Sequence, residues 1–353
     1  MNLNIDLNRI AELEKTHAKL WSSAPPKERL VTFGCSKIPE AINWQQMWDD
    51  PQKLFQFCMQ RLEHILSTGD DTIPMVRVDL GTVLFPMAFG CDVHIEKNGM
   101  PAISSHPITT PEALEKVRNL DPLISGQFKK AYEFIKYFRK NLPAGIRLSQ
   151  CDSQGPWNIA HQLAGDQIFF DIFDNPAFVT GLLDTVSDFI ISAIPPMKEA
   201  VDENPDKFYL QGTCTPGGGR ICNCSTDMIS PDFYEKVILE RDNRVLEAIG
   251  GGMLHNCASN IKSLAHANKI KSLKCVEIAF NYADLFEIAD IIRDDIVLIA
   301  CGPVDPPLLT PLGEKTLNRF ANGVFPDKTN ILYHLDDPID DDRTKWLLDI
   351  IKG

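Results

Sequence analysis

The sequence predicts an α/β chain of the (β/α)8 class, a TIM barrel with an N-terminal helical extension. Three observations carry this. Eight short apolar or β-rich segments lie between residues 30 and 335. The longer segments between them repeat apolar residues at three- and four-residue spacing, the period of an amphipathic helix. Several of these open on a capping side chain followed by proline at the first helical position. Such alternation builds a parallel sheet, either closed into a barrel or open and doubly wound, and a count of eight favours the barrel. One domain is expected over 1–353, with residues 1–70 supplying the extension and the first strand.

In chain order, LVTFG (30–34) reads as the first strand and DPQKLFQFCMQRLEHILSTG as the helix after it. IPMVRVDLG (73–81) is the second strand. The stretch from about 82 to 145 exceeds one crossover; it contains two helical patterns, TPEALEKVRNL and SGQFKKAYEFIKYFRKNL, and implies an insertion. IRLSQC (146–151) follows, then the long helix PAFVTGLLDTVSDFIISAIPPMKEAVDE, KFYLQGTC (207–214) as the fourth strand, and SPDFYEKVILERDNRVLEAIG. GMLHNC (252–257), SLKCVEI (272–278), DIVLIAC (295–301) and NILYHL (330–335) complete the strands. YADLFEIADIIR and DDRTKWLLDIIK are helices among them. Thr110-Pro111, Asn175-Pro176 and Ser230-Pro231 mark helix starts.

Composition limits the function. Hydrophobic residues make up 44% and charged residues 24%, the balance of a folded globular chain. The net charge of −13 disfavours nonspecific binding to nucleic acid or to an anionic membrane. No run of about 18 uninterrupted apolar residues suggests a membrane span. The start, MNLNIDLNRIAELEKTHAKLW, lacks the apolar segment of a secretory signal. A cytoplasmic location is expected, with the ten cysteines as thiols.

Barrel active sites lie at the carboxyl ends of the strands. There the sequence places Asp79, Cys151, Asp152, Cys214, His255, Cys257, Cys275, Glu277, Cys301, Asp305, His334 and Asp336. His255-Asn256-Cys257 is the sharpest pattern. Residues i and i+2 of a strand face the same side, so an imidazole and a thiolate can meet one zinc ion. The competing reading is a hydrogen-bonded core histidine beside a buried thiol. A third ligand must come from another strand end: His334, Cys301, Glu277 or Cys214. Three protein ligands would leave one position open, as in catalytic sites. TCTPGGGRICNCST (213–226) reads as a glycine-rich mobile loop without a phosphate-binding or dinucleotide pattern. Cys222-Asn223-Cys224 is a weaker metal candidate, and Arg220 reads as solvated or as an anion contact. Asp79 ends an apolar strand, where burial is expected to raise its pKa for acid–base work.

From about residue 70 onward, the chain resembles the uroporphyrinogen decarboxylase superfamily. VRVDLGTVLFPMAFGCDV (76–93) resembles its strand ending in an aspartate, and TTPEALEKVRNLDP (109–122) its T-x-E-x-L-x-x-L-x-x-x-D-P segment. QGPWNIAHQLAG (154–165), MISPDFYEKVILERDNRVLEAI (228–249) and GPVDPPLL (302–309) follow in the family's order. The resemblance implies a (β/α)8 barrel. Departures point away from the tetrapyrrole branch. Its arginine-rich N-terminal motif corresponds here to LVTFGCSKIPEAINW, which has no arginine, and its tyrosine in the G-P-x-T element is replaced by His161-Gln162. Asp79 nevertheless matches that branch's catalytic aspartate.

The other branch moves a methyl group from a methylated corrinoid protein to a thiol such as coenzyme M, or to tetrahydrofolate. Its thiol-using members bind Zn²⁺ through H-x-C and a late cysteine. Carried over, H-x-C is His255 and Cys257. The late position, aligned on Pro338, falls on His334, with Cys301 as the fallback. Histidine in place of cysteine leaves the metal more positive and the bound thiol less nucleophilic. The resemblance further implies Asp79 or Glu277 as acid–base partner if a folate is the acceptor. Cys214 and Asp305 are candidate cofactor contacts. A corrinoid protein is expected over the barrel mouth, and relatives include monomers and homodimers. A decarboxylase-like lyase and a non-catalytic barrel that binds metal or corrinoid are the competing functions.

Overall fold

The computed structural model describes all residues except 1–4, 23–28, 35–42, 98, 127, 257–260, 329 and 337–340. Its strands are β1 (Leu30–Gly34), β2 (Met75–Arg77), β3 (Val93–His94), β4 (Ala102–Ile103), β5 (Arg147–Ser149), β6 (Lys207–Leu210), β7 (Thr213–Pro216), β8 (Gly219–Cys222), β9 (Gly252–Asn256), β10 (Leu273–Ala279), β11 (Val297–Gly302) and β12 (Ile331–Asp336). Six form one sheet in the order β1-β12-β11-β10-β9-β8. Every pairing in it is parallel. β2 and β5 form a separate parallel pair. The fold is thus mixed α/β around parallel strands. Val297–Ala300 is buried without alternation, as expected for a strand covered on both faces.

One predicted strand changes role. Residues 207–214 do not enter the parallel sheet: β6 and β7 form an antiparallel hairpin. Gln211 (φ 50°) and Gly212 (φ 75°) both lie in the left-handed region, the requirement of a two-residue hairpin turn. The place beside β9 goes to β8, inside the stretch read as a mobile loop. Its glycines serve close packing: a Cβ on Gly218 would fall 2.0 Å from the Ile249 carbonyl oxygen. An apolar run does not reveal which neighbour it will pair with, so periodicity could not separate the two segments.

Helices begin at Pro111, Pro176 and Pro231 as the sequence marks, although Asn175 makes no side-chain capping hydrogen bond. Asp50 accepts hydrogen bonds from the backbone of Gln52 and Lys53 at the start of helix Pro51–Ser67. Thr110 and Ser230 cap in the same way ahead of prolines. Helix Pro176–Val201 is long and apolar enough to cross a membrane, but 61% of its apolar window is buried within the fold. Leu20 of the N-terminal helix Leu7–Leu20 and Phe208 and Leu210 of the hairpin pack against Leu30, Met253, Cys275, Val297, Ile299 and Leu332. This cluster packs along the six-stranded sheet as far as Ile299, the partner of Glu277.

Candidate functional site

Strand register builds the site. Cys222 on β8 lies opposite His255 on β9, and His255 opposite Glu277 on β10. Further toward the carboxyl ends, Cys301 lies opposite His334, and His334 opposite Thr32. Two rows of inward side chains result, the first centred on Glu277.

Glu277 is fully buried and heavily engaged. Oε2 accepts from His255 Nδ1 at 2.7 Å and from Arg220 Nη1 at 3.1 Å. Oε1 accepts from Gln211 Nε2. Burial alone would raise its pKa, but His255 and Arg220 outweigh burial and hold the carboxyl well below its ordinary range. For His255 burial pushes downward; the charges of Glu277 and then Cys222 reverse this and lift it to about 10. Glu277 is therefore a fixed anion that orients the His255 ring. With Nδ1 directed at Glu277, Nε2 is the ring nitrogen left for a metal.

An ion-pair chain extends from it. Arg220 also meets Asp152 Oδ1, Arg77 lies 3.6 Å from the same oxygen, and Arg77 Nη2 donates to Asp79 Oδ2 at 2.6 Å. Asp79 Oδ1 accepts from the Gly81 amide at 3.0 Å. The expected rise in the Asp79 pKa is corrected: burial raises it, but Arg77 more than compensates and the net shift is downward. Asp79 thus stands as an ionised partner of Arg77. Arg220 is not solvated; its side chain is 12% exposed and paired on both sides.

A cavity of about 280 Å³ has Arg61, Arg77, Asp79, Gln211, Arg220 and His334 in its polar lining. Phe33, Trp44, Leu54 and Phe57 form part of its apolar wall. The sequence reading found no arginine in the N-terminal segment; the cavity receives its arginines from helix Pro51–Ser67, β2 and β8 instead. Arg61, Arg77 and Gln211 are site residues that the sequence does not single out, whereas Asp152 stands among its strand-end residues. Arg77 carried a signal, standing two positions before Asp79 and so on the same face of an extended chain. Gln211 carried none, because its place depends on the hairpin turn.

Cys222 Sγ lies 3.4 Å from Cys224 Sγ. Among the described residues, Cys222, Cys224 and His255 form the group of potential metal ligands, with donor atoms within 4.8 Å of one another. Cys224 is disulfide-bonded, which corrects the expectation that all ten cysteines are thiols, and its thiolate becomes available on reduction. Cys257 lies outside the described residues. His334 is buried with Nδ1 2.9 Å from Thr32 Oγ1, and burial pushes its pKa down. Cys301 is half-buried, and burial and then Glu277 raise its thiol pKa. Neither joins a group of three ligand atoms with His255 among the described residues. Cys214 sits on the hairpin opposite Tyr209 and does not line the cavity. Buried Asp305 precedes the turn Pro306–Leu308, also outside the cavity lining.

The sequence pattern of the uroporphyrinogen decarboxylase (URO-D) family matches residues 37–202. The chain is 26% identical over 199 residues to the methylcobamide:CoM methyltransferase MtbA of Methanosarcina mazei, covering 54% of this chain and 53% of that protein. It is 25% identical over 200 residues to the protein of the same name from Methanosarcina acetivorans, covering 55% of each. The chain thus spans about half the length of the curated relatives it matches. A solved methyltransferase from Methanosarcina mazei superposes with a TM-score of 0.70 at 16% identity, over 96% of this chain and 97% of that one, which shows a shared fold. Residues 37–202 are thus similar to the uroporphyrinogen decarboxylase family, and the chain shares its fold with a methyltransferase.

Proposed function

We propose that this chain is a zinc-dependent methyltransferase that moves a methyl group from a methylated corrinoid protein to a small acceptor, a thiol or tetrahydrofolate. The observation that supports it is the buried Glu277 directing one nitrogen of His255 away from the ligand position, beside thiols, while Gln211 and Arg220, which hold Glu277, line a cavity. Imidazole nitrogen and thiolate sulfur are the donors zinc prefers. His255 and Cys257 form the proposed ligand pair, with His334 and Cys301 as the sequence-derived candidates to complete it. Zinc bound there would supply Lewis acidity that keeps an acceptor thiol ionised at neutral pH.

The remaining roles fall to the chain itself. Arg61 and Arg77 border the cavity where the acceptor would lie, and the apolar wall excludes water around it. Asp79 keeps Arg77 in place. With a folate acceptor, Asp79 or Glu277 would have to handle a proton, a role their lowered pKa values do not favour. Cys214 and Asp305 remain proposed cofactor contacts only through a change of conformation. The proposal includes closure of the parallel strands into a (β/α)8 barrel, one domain over 1–353, a cytoplasmic location, a corrinoid protein as partner at the barrel mouth, and a homodimer.

A carboxy-lyase is the second reading, favoured by Asp79 and the cavity arginines. A cavity of about 280 Å³ falls at the lower end for drug-sized ligands, which suits a small acceptor better than a tetrapyrrole. The deciding experiment is demethylation of methylcobalamin by the reduced protein, with a panel of thiols and tetrahydrofolate, with and without chelator. Acceptor-dependent demethylation that chelator, His255→Ala and Cys257→Ala abolish is expected. Metal-free protein that consumes a porphyrinogen would establish the lyase instead. Stoichiometric metal without turnover would leave a binding barrel.

A further inference from the structure

We infer that Cys222 and Cys224 are the sulfur ligands that complete a metal site at His255, in place of a side chain from β11 or β12. The inference rests on the proposed metal at His255 and names its ligand set. Cys222 and His255 are direct neighbours on adjacent parallel strands, a spacing of about 4.8 Å that brings inward donors together without backbone movement. Two sulfurs bound at 2.3 Å to a tetrahedral zinc lie about 3.8 Å apart. Cys222 Sγ and Cys224 Sγ are 3.4 Å apart, so a small rotation meets that geometry.

The turn that carries the sulfurs is fixed on every side. Gly155 N donates to the Cys222 carbonyl at 2.8 Å, and Asn223 N to the His255 carbonyl at 2.9 Å. Asn223 Nδ2 donates to buried Asp242 Oδ2 at 2.5 Å, and Thr226 Oγ1 to the Asn223 carbonyl at 2.6 Å. Gly155 makes room, since a Cβ there would fall 2.1 Å from Asn223 Oδ1. Glu277, itself held by Gln211 and Arg220, orients His255 from behind, the arrangement that fixes ring orientation in metal sites. By contrast, His334 has its Nδ1 on Thr32, in the row beyond Glu277.

The set restores the thiolate character that a histidine at the late position would remove. Because Cys224 is disulfide-bonded, metal enters after reduction. A dithiol gives up two electrons and two protons and becomes a disulfide. The chain's disulfide becomes two thiols, and each ligand thiol releases its proton on coordination.

The test uses the whole chain, reduced with dithiothreitol and loaded separately with Zn²⁺ and Co²⁺. Zinc X-ray absorption on the wild type is expected to show one metal per chain with at least two sulfurs in its shell. Cys222→Ser and Cys224→Ser should each remove one sulfur, weaken the sulfur-to-cobalt charge-transfer band, and lower affinity at least about tenfold. His334→Ala and Cys301→Ala should leave both spectra unchanged. Circular dichroism checks that each variant folds, and the wild-type sulfur count stands without any variant. Fewer than two sulfurs, or a shell altered by His334→Ala but not by Cys222→Ser, overturns the ligand set while leaving methyl transfer possible. No metal after reduction overturns both the set and the proposed zinc. An intact sulfur shell without demethylation supports the set and removes the proposed activity alone.

Discussion

At the residue scale the site is governed by pairing of buried charge. Glu277 takes hydrogen bonds from His255, Arg220 and Gln211. Removing its charge leaves buried cations uncompensated, a loss of about 3–5 kcal/mol. Glu277→Gln is therefore expected to lower the denaturation midpoint in urea and to weaken metal binding roughly 10–100-fold in a competition titration. Asp79 belongs to the same logic. Its carboxyl is held below the ordinary range after Arg77 outweighs burial. Asp79→Asn should raise KM for the acceptor by loosening Arg77, and leave the shape of the pH–rate profile between pH 6 and about 8 unchanged. A lost ionisation near neutrality in that profile would show Asp79 working as a proton carrier instead. The sequence revealed that Asp79, His255 and Glu277 lie at strand ends. It did not reveal that arginines neutralise two of them, because those arginines reach the site across the sheet interior.

At the scale of elements, two short pieces position the chemistry. The β6–β7 hairpin delivers Gln211 to Glu277 through a turn with positive φ at Gln211 and Gly212. A Cβ on Gly212 would meet the Thr72 side chain at 3.0 Å. Gly212→Ala should cost about 1–2 kcal/mol in denaturant unfolding from backbone handedness alone. The second piece is helix Pro51–Ser67, which brings Leu54, Phe57 and Arg61 to the cavity. Its start depends on Asp50, whose Oδ1 accepts from two backbone amides. Asp50→Ala should lower stability by about 1 kcal/mol. The cap was legible, since Asp-Pro before a periodic apolar stretch has a local cause. The hairpin was not: KFYLQGTC has the apolar content of a parallel strand, and only its partner distinguishes it.

At the scale of the whole molecule, stability responds to pH through buried carboxyls away from the ion-pair chain. Asp242 is fully buried, and burial lifts its pKa to about 7 against the hydrogen bonds from Tyr234 and Asn223. The folded chain therefore holds that proton more tightly than the unfolded chain, whose value is the ordinary 3.8. The stabilisation is fully present below about pH 4 and is lost as pH rises through about 7. Thermal melts across that window should show this decline, and Asp242→Asn should flatten it. A decline unchanged in the variant would assign the proton to another group. The parallel-strand architecture was also legible at this scale, because alternating strand and helix periods leave few layer arrangements.

By itself the sequence determined the alternation of elements, the helix starts, a resemblance to the uroporphyrinogen decarboxylase family and the rank of His255 among the histidines, all of which depend on local chemistry or on ordered motifs. Only the tertiary structure decided that Cys222 faces His255, that Glu277 is a fixed anion rather than a proton carrier, and that arginines line the cavity. Register between strands and the balance of burial against a neighbouring charge are pairwise properties of residues far apart in the chain, and neither exists until the strands are aligned.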